Sequence, residues 1–169
     1  MSQKPVSGRH KIIRFLEQAE DFILSSLLVI MILMAVLQIL LRNLFDTGIV
    51  WADELIRVLV LWIGLVGAMV ASRSNRHISI DVVSRYLPEK TKKAATIVTS
   101  LFTALVCAVM TRFSFSFVVM EKNDGLNAFA AVPNWVCQTI IPFSFAVISL
   151  RYFILSADLI FQLIKGEKE

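Results

Sequence analysis

Four long apolar stretches fill most of this 169-residue chain, and the ionisable residues lie almost entirely between them. A hydrocarbon core about 30 Å thick is crossed by a helix of about 20 apolar residues. Hydrocarbon cannot satisfy bare backbone polar groups, so helices are the expected spanning form. The sequence therefore predicts an all-α integral membrane protein, a single membrane domain over 1–169, with four long tilted transmembrane helices at about residues 22–41, 53–72, 92–120 and 134–157.

The basic residues alternate between the segments that flank these spans. Lysine and arginine are concentrated in the N-terminal tail, the loop at 73–91 and the C-terminal tail, whereas the first and third loops hold only Arg42 and Lys122. Basic segments stay on the cytoplasmic side of a membrane, so both termini and the 73–91 loop are predicted to be cytoplasmic. The same residues are expected to contact anionic membrane lipids. The sequence has no basic patch interleaved with aromatic residues, so no nucleic-acid partner is predicted.

Two short segments have the pattern of amphipathic interfacial helices. Ile12, Phe15 and Leu16 recur at helical spacing before the first span, which fits a helix lying on the membrane surface or one that docks a partner. A second such helix is predicted between Ile78 and Pro88. In the fourth span, Pro142 is expected to kink or loosen the helix about one turn earlier, unless it is simply a tolerated membrane-helix proline.

The start of the second span collects charged and aromatic residues. Trp51 occupies an interfacial position, Asp53 and Glu54 fall in the first helical turn, and Arg57 is spaced so that the three charges can share one face. They are either an exposed local cluster or a contact for a partner protein. Further along, small residues at four-residue spacing permit close helix contact and are candidates for a packing surface: Gly64 with Ala68, and Gly67 with Ala71.

Two arginines interrupt the later spans, and one tryptophan marks where the fourth span begins. Arg112 and Arg151 either extend toward lipid headgroups or pair with a polar group on another helix or subunit. Trp135 is predicted at a membrane interface. Among these spans, Gln38 is the strongly polar residue of the first, and no carboxylate falls in mid-membrane.

The residues that catalysis or cofactor binding would need are missing from the sequence. The two histidines, His10 and His77, lie outside the spans, and Cys107 and Cys137 have no CxxC spacing, so we expect no haem, metal or redox cofactor. No nucleotide-binding or hydrolase motif occurs, so the chain is not expected to be an enzyme. Without a membrane-embedded carboxylate or paired broken helices, a complete ion-coupled pathway is also not expected within this chain.

The segment from residue 51 to residue 88 resembles the small membrane subunit of tripartite ATP-independent periplasmic (TRAP) transporters, the DctQ-like subunit. The resemblance rests on motifs in a fixed order: Trp51-Ala-Asp-Glu54, Trp62-Ile-Gly-Leu-Val-Gly-Ala68, Arg73, His77-Ile-Ser-Ile-Asp81 and Leu87-Pro88. Pro133-Asn-Trp135 and Ile141-Pro142 match the family's entry to its fourth helix. His77 and Asp81 supply too few ligands for a metal, so they are expected to brace an interfacial helix.

The resemblance implies a multi-pass protein of the bacterial inner membrane. It implies that a periplasmic binding protein delivers an organic acid, of dicarboxylate or sialic acid type, to a large membrane subunit that holds the substrate and sodium sites. This chain would scaffold that large subunit and hold no transport site itself. An autonomous four-helix transporter, or an assembly protein of another membrane system, remains the alternative.

Overall fold

The computed structural model of the protein describes residues 8–74, 89–129 and 131–166. Within these ranges the chain forms five helices and two short strands. In chain order they are α1 (Gly8–Phe45), α2 (Ala52–Ser74), α3 (Glu89–Asp124), β1 (Asn127–Phe129), β2 (Val132–Pro133), α4 (Asn134–Gln138) and α5 (Ile140–Gly166).

Four segments of the described chain are long and apolar enough to cross a membrane, which confirms the predicted helical membrane fold. They are Arg14–Phe45, Ala52–Arg73, Ala94–Asp124 and Asn134–Gln162. Most of their large apolar side chains are exposed: Leu33 is 63% and Phe113 69% accessible. Such surfaces suit lipid, where apolar exposure carries no hydrophobic cost.

Contacts divide the chain into two compact units, Met1–Val70 and Ala71–Glu169. In the first unit, one stripe of α2 is buried, with Ala52, Leu59 and Val66 recurring every seven residues. In the second unit, α3 and α5 pack along their lengths, and small residues such as Ala104, Cys107 and Ser144 occupy the buried positions. Small side chains let helix backbones approach closely where no hydrophobic effect drives association.

The amphipathic segment predicted to lead into the first span is helical, and it continues into that span without a break. The segment containing Phe15 belongs to a helix that runs unbroken from Gly8 to Phe45. Between residues 9 and 45 there is no glycine or proline to interrupt it. The second predicted interfacial helix, from Ile78 to Pro88, lies outside the described residues.

The fourth span is interrupted where proline chemistry predicts. Helix α4 ends at Gln138, Thr139 forms a turn, and α5 begins at Ile140. Pro142 has no N–H for the carbonyl of residue 138, and its ring clashes with that carbonyl. The predicted loosening one turn before Pro142 is thus confirmed, and Pro142 itself is buried.

Candidate functional site

The turn between α1 and α2 is held by the side chain of Gln38. Its Nε2 donates to the carbonyl of Ile49 at 3.2 Å, and its Oε1 accepts from the N–H of Ile49 at 3.1 Å. A Cβ on Gly48 would lie 3.1 Å from Gln38 Nε2, so a larger residue there would crowd the glutamine amide. The polar residue of the first span is therefore a structural clasp for this turn.

The charged cluster at the start of α2 is exposed. Asp53, Glu54 and Arg57 all lie at the surface beside Trp51, which is 40% accessible. Although their spacing allows contact, no hydrogen bond or ion pair links the three charged side chains to one another in the described structure. Their charged groups face outward and are available to a partner.

The small residues of α2 divide between two faces. A Cβ on Gly67 would lie 4.0 Å from Leu24 Cδ1 of α1, in ordinary van der Waals contact. Gly64 has no atom within 4 Å of its Cβ position, and Ala68 is exposed on the same side. Gly67 thus contributes to packing within the first unit, whereas Gly64 and Ala68 form an exposed surface of small residues.

The other described connection, between α3 and α4, is a small antiparallel β-hairpin. Phe129 pairs with Val132 and Asn127 with Pro133. The base of the hairpin is closed by a main-chain bond from the first residue of α4, because Asn134 N donates to Leu126 O at 2.9 Å. Apart from the turn residues Asn123-Asp-Gly125, no sequence pattern predicts this hairpin, since strands of two and three residues are too short for a periodic pattern.

Two side-chain contacts fix this hairpin end of the second unit. Asn134 Nδ2 donates to Glu121 Oε2 at 2.6 Å, a hydrogen bond strengthened by the carboxylate charge. The Lys122 ammonium lies 5.5 Å from the centroid of the Trp135 ring, within cation–π range. Trp135 thus has a defined cationic neighbour, and its interfacial position stays a prediction.

The two arginines of the later spans have different surroundings. Arg151 is half-buried, and its Nη1 donates to Ser72 Oγ at 3.2 Å. Arg112 is exposed on α3, and its main-chain carbonyl accepts a bond from Ser116 Oγ at 3.3 Å. Arg151 therefore has a polar partner on another helix of its own chain, and the Arg112 guanidinium has none among the described residues.

A shallow apolar groove runs between α3 and α5. It has a volume of about 630 Å³ and is lined by Leu101, Ala104, Leu105, Ala108 and Thr111 of α3 and Ala146, Ser149, Leu150 and Phe153 of α5. Both hydroxyls in the lining are satisfied by carbonyls, with Ser149 Oγ donating to Ala104 O at 2.9 Å and Thr111 Oγ1 to Cys107 O at 2.8 Å. The groove offers shape and apolar surface without a spare hydrogen-bond donor.

These sites suit protein contact better than chemistry. Within the described ranges, no group of three or more histidine, cysteine or carboxylate side chains is arranged to hold a metal. The remaining two candidate residues, His77 and Asp81, fall in the segment that the structure does not describe. Sequence reasoning missed Gly48, Asn134 and Ser149, whose contacts join residues 10 or more positions apart and leave no local signal.

Comparison with known families gives a match over most of the chain. Residues 31–161 match the family described as tripartite ATP-independent periplasmic transporters, DctQ component. The matched region includes α2, α3 and α4 completely, most of α5 and the C-terminal part of α1.

Individual relatives carry names from the same transport system. A putative TRAP transporter small permease protein of Haemophilus influenzae is 26% identical over 127 residues, covering 70% of this chain and 79% of the relative. The ectoine TRAP transporter small permease protein TeaB of Halomonas elongata is 30% identical over 113 residues, 66% of this chain and 55% of TeaB. The sialic acid TRAP transporter permease protein SiaT of Haemophilus influenzae is 27% identical over 112 residues, 66% of this chain but only 18% of SiaT.

Proposed function

This chain belongs to the DctQ-component family of TRAP transporters, and on that premise we propose that it is the small permease subunit of one such transporter. The observation that carries the proposal is the family match across residues 31–161, which covers the second and third apolar helices, nearly all of the fourth and the C-terminal part of the first. A member of this family is a transport component and not an enzyme.

The proposed role is to scaffold a large membrane subunit that performs the transport step. Most of SiaT lies outside the segment similar to this chain, so in that protein such a segment accompanies a much larger permease. In this sequence no acidic residue falls in mid-membrane, and the polar groups lining the α3–α5 groove are satisfied within the chain. The sodium and substrate sites then belong to the large subunit, and this chain supplies it with a fixed wall.

The substrate is proposed to be an organic acid handed over by a periplasmic binding protein. SiaT is named for sialic acid and TeaB for ectoine, although their identities to this chain differ by only 3 percentage points (30% less 27%). The degree of sequence identity in this segment therefore does not indicate which substrate is transported. The choice of substrate then lies with the binding protein and the large subunit.

The uptake experiment compares this chain alone with the assembled system. Vesicles containing only this chain should show no sodium-dependent uptake of sialic acid or a C4-dicarboxylate, whereas vesicles that also contain the large subunit, supplied with the binding protein, should. Uptake by the chain alone would establish the alternative, an autonomous four-helix transporter. Normal uptake by the large subunit without this chain would remove the scaffold role.

Orientation in the bacterial inner membrane is the second part of the proposal. The lysine and arginine asymmetry supports cytoplasmic termini, with the α1–α2 turn and the β-hairpin in the periplasm. Single cysteines replacing Thr47 and Asn127, both exposed, should react with a membrane-impermeant maleimide added to intact spheroplasts, provided that Cys107 and Cys137 are first replaced by alanine. If these cysteines reacted with the maleimide only after lysis, the proposed orientation would be wrong.

A further inference from the structure

The starting observation is an exposed arginine inside a membrane span. Arg112 lies within Ala94–Asp124, and no described side chain pairs with its guanidinium. An unpaired arginine at a helix centre costs about 2.5–3.5 kcal/mol on insertion scales. Charged groups at such depth face other protein or a polar cavity far more often than bare lipid.

The depth of Arg112 can be read from the hairpin end of α3. Glu121 and the Lys122–Trp135 pair have the composition of a membrane interface. Arg112 is nine residues from Glu121, which at 1.5 Å per residue is about 13 Å along the helix. The apolar segment Ala94–Asp124 has its midpoint at residue 109, three residues from Arg112, so Arg112 is close to the bilayer centre whatever the tilt of the helix.

Helix geometry also turns Arg112 away from the nearer interface. Side chains lean toward the N-terminus of their helix and cover the preceding turn. For Arg112 that turn holds Ala108, one of the residues lining the α3–α5 groove. Leu101, Leu105, Ala108 and Arg112 recur at intervals of four, three and four residues, so they share one side of α3. Arg112 therefore lies on the same side of α3 as the groove-lining residues, at the end of the groove nearer Asp124.

A phospholipid does not fit both the groove and the arginine. A lipid of the leaflet nearer Asp124 carries its phosphate about 13 Å from Arg112 along the helix, on the side opposite the groove. A lipid of the other leaflet brings only the ends of its acyl chains to this depth. Neither arrangement places a phosphate at Arg112 with a chain beside Leu101 and Leu105. A protein helix has no such restriction, because it can present an acidic side chain at any depth.

We propose that the α3–α5 groove and Arg112 together form the docking surface for a transmembrane helix that presents a carboxylate near the bilayer centre. Apolar side chains of that helix fill the groove, where Ala104, Ala108 and Ala146 permit close approach, and the carboxylate pairs with Arg112. The inference rests on the proposed function in one respect, since it assigns this helix to the large membrane subunit.

The test measures recovery of the large TRAP subunit, co-expressed from the same genome, on the affinity-tagged full chain. Arg112→Met should lower recovery at least about tenfold, because it leaves the partner carboxylate unpaired in hydrocarbon, and Arg112→Lys should largely restore it. Ala108→Trp should lower recovery similarly by filling the groove. Met110→Trp adds a bulky ring to an exposed position on another side of α3, and it should leave recovery unchanged.

The amount of inserted, monodisperse chain is measured for every variant, so that a folding defect is recognised. A photo-reactive phenylalanine analogue replacing Leu105 should crosslink to the large subunit, whereas the same analogue replacing Phe113, also exposed, should not. Unchanged recovery with Arg112→Met, or crosslinks from position 105 to lipid or a second copy only, would overturn the docking surface while leaving the small-subunit role intact. Failure of the unaltered chain to recover any large subunit would overturn the proposed function as well.

Discussion

Ser149 of α5 donates a hydrogen bond from its Oγ to the main-chain carbonyl of Ala104 on α3, across a distance of 2.9 Å. This bond joins the two helices at the floor of the groove between them. The carbonyl of Ala104, which is 4% accessible, thereby accepts a bond from outside its own helix. The contact fixes both the register of α3 against α5 and the shape of the groove.

Replacing Ser149 by alanine should weaken this helix pair. Interhelical hydrogen bonds in membrane proteins contribute about 0.6 kcal/mol on average and about 1.7 kcal/mol at most. We expect Ser149→Ala to lower the free energy of unfolding in mixed micelles by an amount in that range. Ser116→Ala is the matched control, since Ser116 is exposed and its hydroxyl bonds within its own helix. An equal loss of unfolding free energy in both variants would show that the interhelical bond does not stabilise the helix pair.

A double-mutant cycle tests the clasp between Gln38 and the α1–α2 turn. Gln38→Ala removes both partners of the Ile49 main chain, and leaving such groups unsatisfied costs about 1–3 kcal/mol. Gly48→Ala should destabilise the chain by placing a Cβ 3.1 Å from Gln38 Nε2. In a Gln38→Ala background, that second cost should disappear.

The measurement is the free energy of unfolding of the four members of the cycle. Gln18→Ala serves as the control for removing a glutamine side chain from α1, because Gln18 is exposed. If Gly48→Ala costs the same with and without the glutamine side chain, the steric account is wrong. A cost that persists would instead come from the main chain of the turn.

The Glu121–Asn134 bond should hold the hairpin against α3. Asn134→Ala removes the donor of a bond to a charged acceptor, and such bonds contribute about 1.5–3 kcal/mol. Hydrogen exchange at Asn127–Phe129 should become correspondingly faster, and adding Glu121→Ala should bring little further change. Asn123→Ala, at an exposed asparagine of the same helix end, should leave the exchange unchanged. Additive effects of the two substitutions would show that the residues act independently.

The spans and their helical form could be predicted because hydrocarbon imposes a length and an apolar composition that are visible locally. Pro142 could be placed for the same reason, as its effect acts on the turn just before it. The position of Arg151 against Ser72 could not, because these residues are 79 positions apart and the sequence does not say which helices meet. The hairpin was missed because its strands have two and three residues.

Among the candidate residues, sequence reasoning identified chemical types better than their surroundings. It recognised Gln38 as the polar residue of its span, but not that this side chain serves the backbone of Ile49. It left Arg112 and Arg151 with the same two alternatives, which only tertiary contacts separate. The roles of Trp51, Gly64 and Trp135 in assembly stay predictions, because a partner's surface determines them.

The exposed cluster at the start of α2 gives the last prediction, which concerns assembly. Asp53, Glu54 and Arg57 form no ion pair with one another in the described structure, and a local pair on a helix would contribute only about 0.2–0.5 kcal/mol. We therefore expect Glu54→Ala and Arg57→Ala to leave membrane insertion unchanged and to lower transport by the complete system several-fold, through a lost contact with the large subunit or the binding protein. Arg42→Ala, at an exposed arginine near the end of α1, is the control for removing a positive charge.

The measurement is initial uptake rate across a range of binding-protein concentrations. A lowered uptake rate that recovers at high binding-protein concentration would indicate contact with the binding protein. A lowered rate that persists there would indicate contact with the large subunit. Normal rates at every concentration for both variants would mean that these charges only interact with water.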